Sequence, residues 1–256
     1  ISFEKVDDIT IESNAFSQCD LLETIDIKSK SRTYIDNNSF SNLKNLHTIS
    51  ITCEDIYIGE SCFQNYINLS AISFYDVKTI TLGKNAFLGC SKLQDFRINS
   101  IFKNNKQYIE FSTATIEQIY IGESCFQNCV NIPTISFYNV KNIKLCKNAF
   151  SECAKLKTFS INSLLKNNYY ATNKYIEFSS VDTEQIYIGE SCFQNCYQLS
   201  SILFSHASQI KLLPNAFLGC QSLKEFKLTS SKLIIGNNCF SGAAGLRIIE
   251  LICQNG

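Results

Sequence analysis

The chain has 256 residues, 45% hydrophobic and 18% charged, and its 23 basic side chains balance 23 acidic ones. This is a globular composition, and the zero formal net charge excludes a broad electrostatic footprint for nucleic acid or for an anionic membrane. No apolar run reaches the roughly 20 residues that span a bilayer, so this segment is not expected to insert directly into a membrane.

The first residues, "ISF", read as a strand, because Ile1 precedes Phe16 by the same interval that separates Ile72 from Phe87. From Phe16 onward the chain counts in units. A Phe preceded by a small residue recurs at Phe16, Phe40, Phe63, Phe87, Phe126, Phe150, Phe193, Phe217 and Phe240, with gaps of 24, 23, 24, 39, 24, 43, 24 and 23 residues. A period of about 20–29 residues with regularly placed Leu and Ile is the signature of a leucine-rich-repeat solenoid. The two long gaps mark insertions. The string "IYIGESCFQN" begins at Ile56, Ile119 and Ile186, so a block of units is itself repeated.

Each unit reads in columns. Before the Phe comes a short alternation such as "IYIG" or "ITLG", predicted to be a return strand. Two residues before the Phe stands Asn or Ser: Asn14, Asn38, Ser61, Asn85, Ser124, Asn148, Ser191, Asn215 or Asn238. Such side chains cap helices by accepting an orphan backbone N–H, so "NAF" and "SCF" are expected to open single helical turns. The Gly column ahead of the cap (Gly59, Gly83, Gly122, Gly189, Gly236) also holds Glu12, Asp36, Cys146 and Leu213, so it does not demand φ > 0. After the Phe come a Leu or Ile and then an apolar-polar-apolar triplet, from Ile25/Ile27 to Ile249/Leu251. Stacked one per unit, the triplets form a parallel sheet.

The expected fold is therefore an α/β repeat solenoid: a leucine-rich-repeat coil with a parallel sheet on one face, short return strands, single helical turns and two insertions. It is one domain over residues 1–256, of about nine to ten units of 23–24 residues. Neither end shows a polar capping unit, so the expectation is a segment of a longer array. No single coil can bury its apolar face alone, and matching columns in neighbouring coils are what build the core.

Thirteen cysteines invite a redox or metal reading, which the columns oppose. Cys62, Cys125, Cys192 and Cys239 alternate with Ala and Ser before the Phe. Cys19, Cys90, Cys129, Cys153, Cys196 and Cys220 share the third position after it with Leu43, Tyr66 and Ala243. These are sites for small or apolar groups, and free Cys behaves as a small hydrophobe. Cys53, Cys146 and Cys253 fall outside the columns and are the candidates for reactivity. There is no phosphate loop, GxSxG or HExxH, and only His47 and His206 are present. The chain is read as non-enzymatic, with no cofactor, no metal site and no catalytic residue.

Candidate binding residues lie on two features. The triplets' middle residues, including Arg97 and Lys227, are expected to project outward as a shallow strip bordered by Tyr75 and Tyr138. The insertions, at about residues 100–116 and 163–183, share "KNN" followed by "YIEF". Each is expected to form a hairpin-like flap that turns Tyr108 and Glu110, or Tyr175 and Glu177, outward; the second flap adds Tyr169 and Tyr170.

The pattern "IGxxxFxxCxxLxxIxI", clearest in "LGKNAFLGCSKLQDFRI" from Leu82 and "LPNAFLGCQSLKEFKL" from Leu213, resembles the BspA-like leucine-rich-repeat class over essentially the whole chain. Members are abundant in mucosal bacteria and anaerobic protists, and several are surface proteins linked to adhesion. The Asn-, Lys- and Ile-rich composition resembles that of a protist. This sequence lacks the class's Pro after the strand. The resemblance implies a recognition module for a protein or cell-surface macromolecule, on the cell surface or secreted. The unpaired cysteines leave open an intracellular scaffold or docking solenoid.

Overall fold

The computed structural model of the chain describes residues 2–103, 108–111, 115–161, 183–204 and 206–253. In chain order its strands are β1 (Ser2–Ile11), β2 (Thr24–Ile35), β3 (Thr48–Thr52), β4 (Asp55–Ile58), β5 (Ala71–Tyr75), β6 (Thr79–Leu82), β7 (Asp95–Ile98), β8 (Ser100–Lys103) and β9 (Tyr108–Phe111). They continue as β10 (Ile116–Ile121), β11 (Thr134–Phe137), β12 (Val140–Leu145), β13 (Thr158–Ile161), β14 (Thr183–Ile188), β15 (Ser201–Phe204), β16 (Ala207–Leu212), β17 (Glu225–Ile235) and β18 (Ile248–Cys253).

Alternating apolar residues place each coil's two strands on opposite sides of one core. The triplets form the front sheet, with β2 pairing β3, β3 pairing β5 and β5 pairing β7, all parallel and in register: Ile49↔Ile72, Ile72↔Phe96. The "IYIG"-type segments form the return sheet, where Ile56 pairs Ile80, Ile119 pairs Ile80, and Ile143 pairs Ile186. β2 and β17 run through both sheets and join them into one path of paired strands, which ends at β7 on one side and β11 on the other.

Between the sheets stand the nine Phe rings. Each stacks on the next from Phe16 to Phe240, with centroids 5.0–5.5 Å apart. The stack passes both insertions without a gap: Phe87–Phe126 is 5.2 Å and Phe150–Phe193 is 5.5 Å. Seven of the nine rings, from Phe40 to Phe217, are essentially inaccessible. Burying such a ring stabilises by about 1.5–3 kcal/mol relative to leaving it exposed.

The expected helical turns are absent from the described residues. The Asn or Ser two before each Phe has φ between 52° and 61°, in the left-handed region, and so does the residue two after it, from Gln18 to Gly242. A helix N-cap has an extended backbone instead. The reason lies in where the N–H groups go. Phe63 N–H donates to Ala86 O (2.8 Å) and Phe126 N–H to Ala149 O (2.8 Å), both in the next coil, while neighbours such as Ser41 close three-residue turns onto Asn38 O. Bonds between coils take the donors a helix would use. Asn suits these corners because it tolerates the left-handed region better than most side chains. The Gly column shows no positive φ but a close approach: a Cβ on Gly83 would stand 2.7 Å from the backbone of Gly59.

The cysteine columns are buried free thiols, with Cys19 exposed and Cys146 half-buried. The column after the Phe is more than apolar. Cys90, Cys129, Cys153, Cys196 and Cys220 each donate their thiol to the carbonyl of the preceding coil's Phe, at 3.2 Å. Tyr66, which replaces Cys in its unit, donates its hydroxyl to Phe40 O in the same way. Cys53, expected to be reactive, is 1% exposed, and burial pushes its thiol up.

The first insertion begins as the antiparallel pair β8–β9, with Phe102 opposite Ile109 and Lys103 opposite Tyr108. Its root is tied to the coil before it. Buried Asn99 accepts from Val77 N–H and donates to Val77 O, both at 2.9 Å.

Candidate recognition surfaces

The front strip differs from the expected open row. Ser73 is 8% exposed and Ser160 fully buried, although period two turns both away from the core. Ser160 Oγ bonds Ser136 Oγ at 2.9 Å, and the Tyr138 hydroxyl interacts with both. Tyr138 therefore lies over the strip and does not merely border it. Tyr75 ends β5, half-buried. Arg97 pairs with Asp95 on its own strand at 2.5 Å, and Lys227 with Glu225 at 2.8 Å. Arg97 and Lys227 sit in the fourth and eighth coils, so the fold does not bring them together. Tyr108 and Glu110 fall on β9, where the structure gives the backbone path. Tyr169, Tyr170, Tyr175 and Glu177 lie outside the described residues.

A second row was missed by sequence reasoning. The outward residues of the return strands register as Tyr34↔Tyr57, Tyr57↔Thr81, Thr81↔Tyr120, Tyr120↔Lys144, Lys144↔Tyr187 and Tyr187↔Lys211. Tyr34 and Tyr57 stack face to face at 4.5 Å. Lys144 Nζ stands 5.3 Å from the Tyr120 ring centre and 5.7 Å from that of Tyr187, and Lys211 Nζ covers the other face of Tyr187 at 5.6 Å. The ring faces are thus turned along the solenoid axis and used within the row. The signal was present in the Tyr of each "IYIG", which alternation alone marks as outward.

The phenols stay protonated at neutral pH. A hydrogen bond with the Cys146 thiol, aided by burial, pushes Tyr120 up to about 12, while burial raises Tyr57 and Tyr187. Among the described residues neither Lys144 nor Lys211 meets a carboxylate at ion-pair distance. The lysines flanking the row do: Lys141 pairs with Glu117 at 2.9 Å and Lys147 with Glu190 at 3.2 Å.

Among the described residues no group of His, Cys, Asp or Glu is placed to hold a metal ion. No helix among them is long and apolar enough to cross a membrane.

The repeat columns match a known family. A family model for the BspA type leucine rich repeat region, in six copies, matches residues 9–122, 99–211 and 165–254. Among solved structures, a leucine rich cell surface protein from Faecalibacterium prausnitzii A2-165 is similar at 19% identity over 86% of this chain and 83% of its own, with a TM-score of 0.25. A leucine-rich repeat protein from Bacteroides ovatus ATCC 8483 is similar at 19% identity over 94% of this chain and 69% of its own, with a TM-score of 0.31. No curated protein matches the chain. With the repeat model spanning nearly every coil, the chain belongs to the BspA type of leucine-rich-repeat proteins.

Proposed function

We propose that the chain is a non-catalytic recognition module that binds a protein or another macromolecule at a host or microbial surface, and so serves adhesion. The observation that supports it is the Tyr–Lys row on the return sheet. It is a row of phenol hydroxyls and of ammonium groups that meet no carboxylate among the described residues, with outward side chains one coil apart, about 4.8 Å. Tyr anchors interfaces well because it offers a large rigid area with a polar tip. Membership of a repeat family of recognition proteins supports the same reading. The front-strip residues Tyr75, Arg97, Tyr138 and Lys227 and the two insertions remain second candidates for the same task.

The unpaired cysteines would favour an intracellular scaffold, but most of the described ones are buried, and a buried protonated thiol is inert in either compartment.

The test is adherence of the purified chain to epithelial and bacterial cells. The triple variant Tyr57→Ser/Tyr120→Ser/Tyr187→Ser is compared with Arg97→Glu/Lys227→Glu and with a chain whose insertions are replaced by the four-residue link that starts at Tyr75. Loss of adherence in the first alone, with unchanged melting, assigns the function to the return row; loss in one of the others moves it there. Absence of adherence by the parent chain, or equal adherence by all four, overturns the proposal.

A further inference from the structure

On the ridge where the last four coils turn into their front strands lies an open groove of about 410 Å³. It is carried by one column, the residue immediately ahead of each front strand: Lys157 before β13, Ser200 before β15, Lys224 before β17 and Arg247 before β18. Backbone bonds between coils hold this column at two of its three steps. Ser200 N–H donates to Lys157 O at 3.0 Å and Arg247 N–H to Lys224 O at 2.8 Å. Gln198, Gln221 and Ser222 add amides and a hydroxyl from the neighbouring turns, and Gly245 leaves its part of the wall without a side chain.

The groove gathers unmatched charge in one concavity, whereas Lys144 and Lys211, which also meet no carboxylate among the described residues, lie against Tyr rings. The chain is neutral, and lysines elsewhere are commonly matched to a carboxylate, as Lys78 is to Glu54 at 2.8 Å and Lys227 to Glu225 at 2.8 Å. Lys157, Lys224 and Arg247 have no carboxylate at ion-pair distance among the described residues. Three unmatched cations in one concavity call for an anionic ligand.

The lining narrows its class. No Leu, Ile, Val or aromatic side chain faces the groove. An acidic peptide would lack the apolar or aromatic anchor that peptide and protein partners use. A single-stranded nucleic acid would lack the aromatic platform on which its bases stack. What the walls offer is cations interspersed with amides and hydroxyls on aliphatic stems, which matches a polyhydroxylated anion whose ring C–H faces lie against those stems. Lys157 and Lys224 lie two coils apart and Arg247 one further, a span of about 14 Å at ~4.8 Å per coil, the reach of an acidic trisaccharide.

We propose that this groove binds an acidic oligosaccharide, its carboxylate or sulfate groups on Lys157, Lys224 and Arg247 and its hydroxyls on Gln198, Gln221 and Ser222. The site is on the ridge, apart from the Tyr–Lys row, and does not depend on the role proposed for that row.

Calorimetric titration of the whole chain tests it with five probes of matched length: a sulfated uronate-containing hexasaccharide, an unsulfated oligouronate, a neutral malto-oligosaccharide, an oligoglutamate and an oligothymidylate. At least one acidic glycan binds, and which one identifies sulfate or carboxylate as the source of charge. Lys224→Glu/Arg247→Glu weakens that binding at least about ten-fold, while Lys44→Glu/Lys92→Glu, an equal change of charge in the second and fourth coils, leaves it unchanged. If the first pair proves unfolded by circular dichroism, Lys157→Gln/Arg247→Gln replaces it and again weakens binding. The proposal is overturned if neither acidic glycan binds, if the neutral sugar, the oligoglutamate or the oligothymidylate binds as tightly, or if the control pair loses as much.

Discussion

Among the described residues the return sheet runs unbroken through every coil, from β1 to β17, while the front sheet is cut once, between β7 and β11. Both insertions leave from front strands, so the insertions look responsible. The second one shows otherwise: β13 and β15 flank it and still pair in register, Phe159 with Ile202 and Ile161 with Phe204. What distinguishes the cut is Pro133. In most other coils the residue at its position donates an N–H to the coil before: His47 to Glu23 O, Ser70 to His47 O, Gln94 to Ser70 O, Lys157 to Pro133 O; Lys224 makes no such bond among the described residues, and there β15 and β17 pair at Leu203↔Lys227 alone. Proline has no such donor. A long excursion is therefore compatible with a paired ladder, because it costs only loop entropy, which grows slowly with length.

The largest expected effect concerns the thiol columns that flank the Phe stack and so serve both sheets. Burial raises Cys62 from 9.0 to about 11 and Cys220 and Cys239 to about 12, and it lifts Cys125, Cys129, Cys192 and Cys196 well above 9.0. In the unfolded chain these thiols lose their protons near pH 9, while in the folded chain they keep them. The stability they contribute is complete below pH 9 and is lost as pH rises towards 11–12. Each unit of pH in that window removes about 1.4 kcal/mol per thiol, so several together outweigh any single substitution. Thermal melting from pH 8 to 10.5 is expected to show a steep fall, with both sheets failing together. A flat profile would show that the columns do not bear on either.

Next comes the stack where it passes the cut. Phe126 lies between Phe87 and Phe150 at 5.2 Å from each and meets Phe96 at 4.9 Å. With the front ladder open here, this ring, the return sheet and the corner bonds from Phe87 N–H to Cys125 O and from Gly89 N–H to Gln127 O carry the connection between the two halves. Phe126→Ala is expected to cost about 3–5 kcal/mol and to split urea unfolding into two transitions. Phe217→Ala, beside paired front strands, is expected to cost a similar amount within a single transition. If both variants unfold in one step, the halves are coupled as strongly at the cut as elsewhere.

The Phe period made the coil, both strands of each unit and the roots of the insertions legible, because matching columns are what a solenoid core requires. Other features were less so. Asn before the Phe reads as a cap because the cap and the left-handed corner favour the same residue, and only the destination of the N–H groups separates them. The burial of Ser160 under Tyr138 depends on a side chain that folds back across coils, which no period records. The Tyr–Lys row required reading one outward position down the stack, across units. The groove at Lys157, Lys224 and Arg247 required, in addition, knowing which lysines elsewhere are neutralised by partners.

A smaller effect is expected on the return sheet. Tyr34 and Tyr57 stack in the open, half-buried, at 4.5 Å. Such a pair is worth about 0.5–1.5 kcal/mol beyond its area. A double-mutant cycle with Tyr34→Ala and Tyr57→Ala should return a coupling in that range. A coupling near zero would mean that the stacked pair gives the sheet nothing beyond the area each ring buries.

The smallest effect is the most direct test of what cuts the front sheet. Pro133→Ala restores an N–H opposite Gln94 O. A new backbone bond contributes about 0.5–1.5 kcal/mol, but losing the proline frees the unfolded chain by about 0.4–1 kcal/mol. The two nearly cancel, so stability is a poor readout and amide exchange is the right one. If the missing donor opens the ladder, the amide of residue 133 in the variant exchanges as slowly as those of His47 and Lys157, and the amides of β11 gain protection with it. If residue 133 exchanges at the rate of an exposed turn, the proline only occupies an opening already made, and the cut belongs to the first insertion after all.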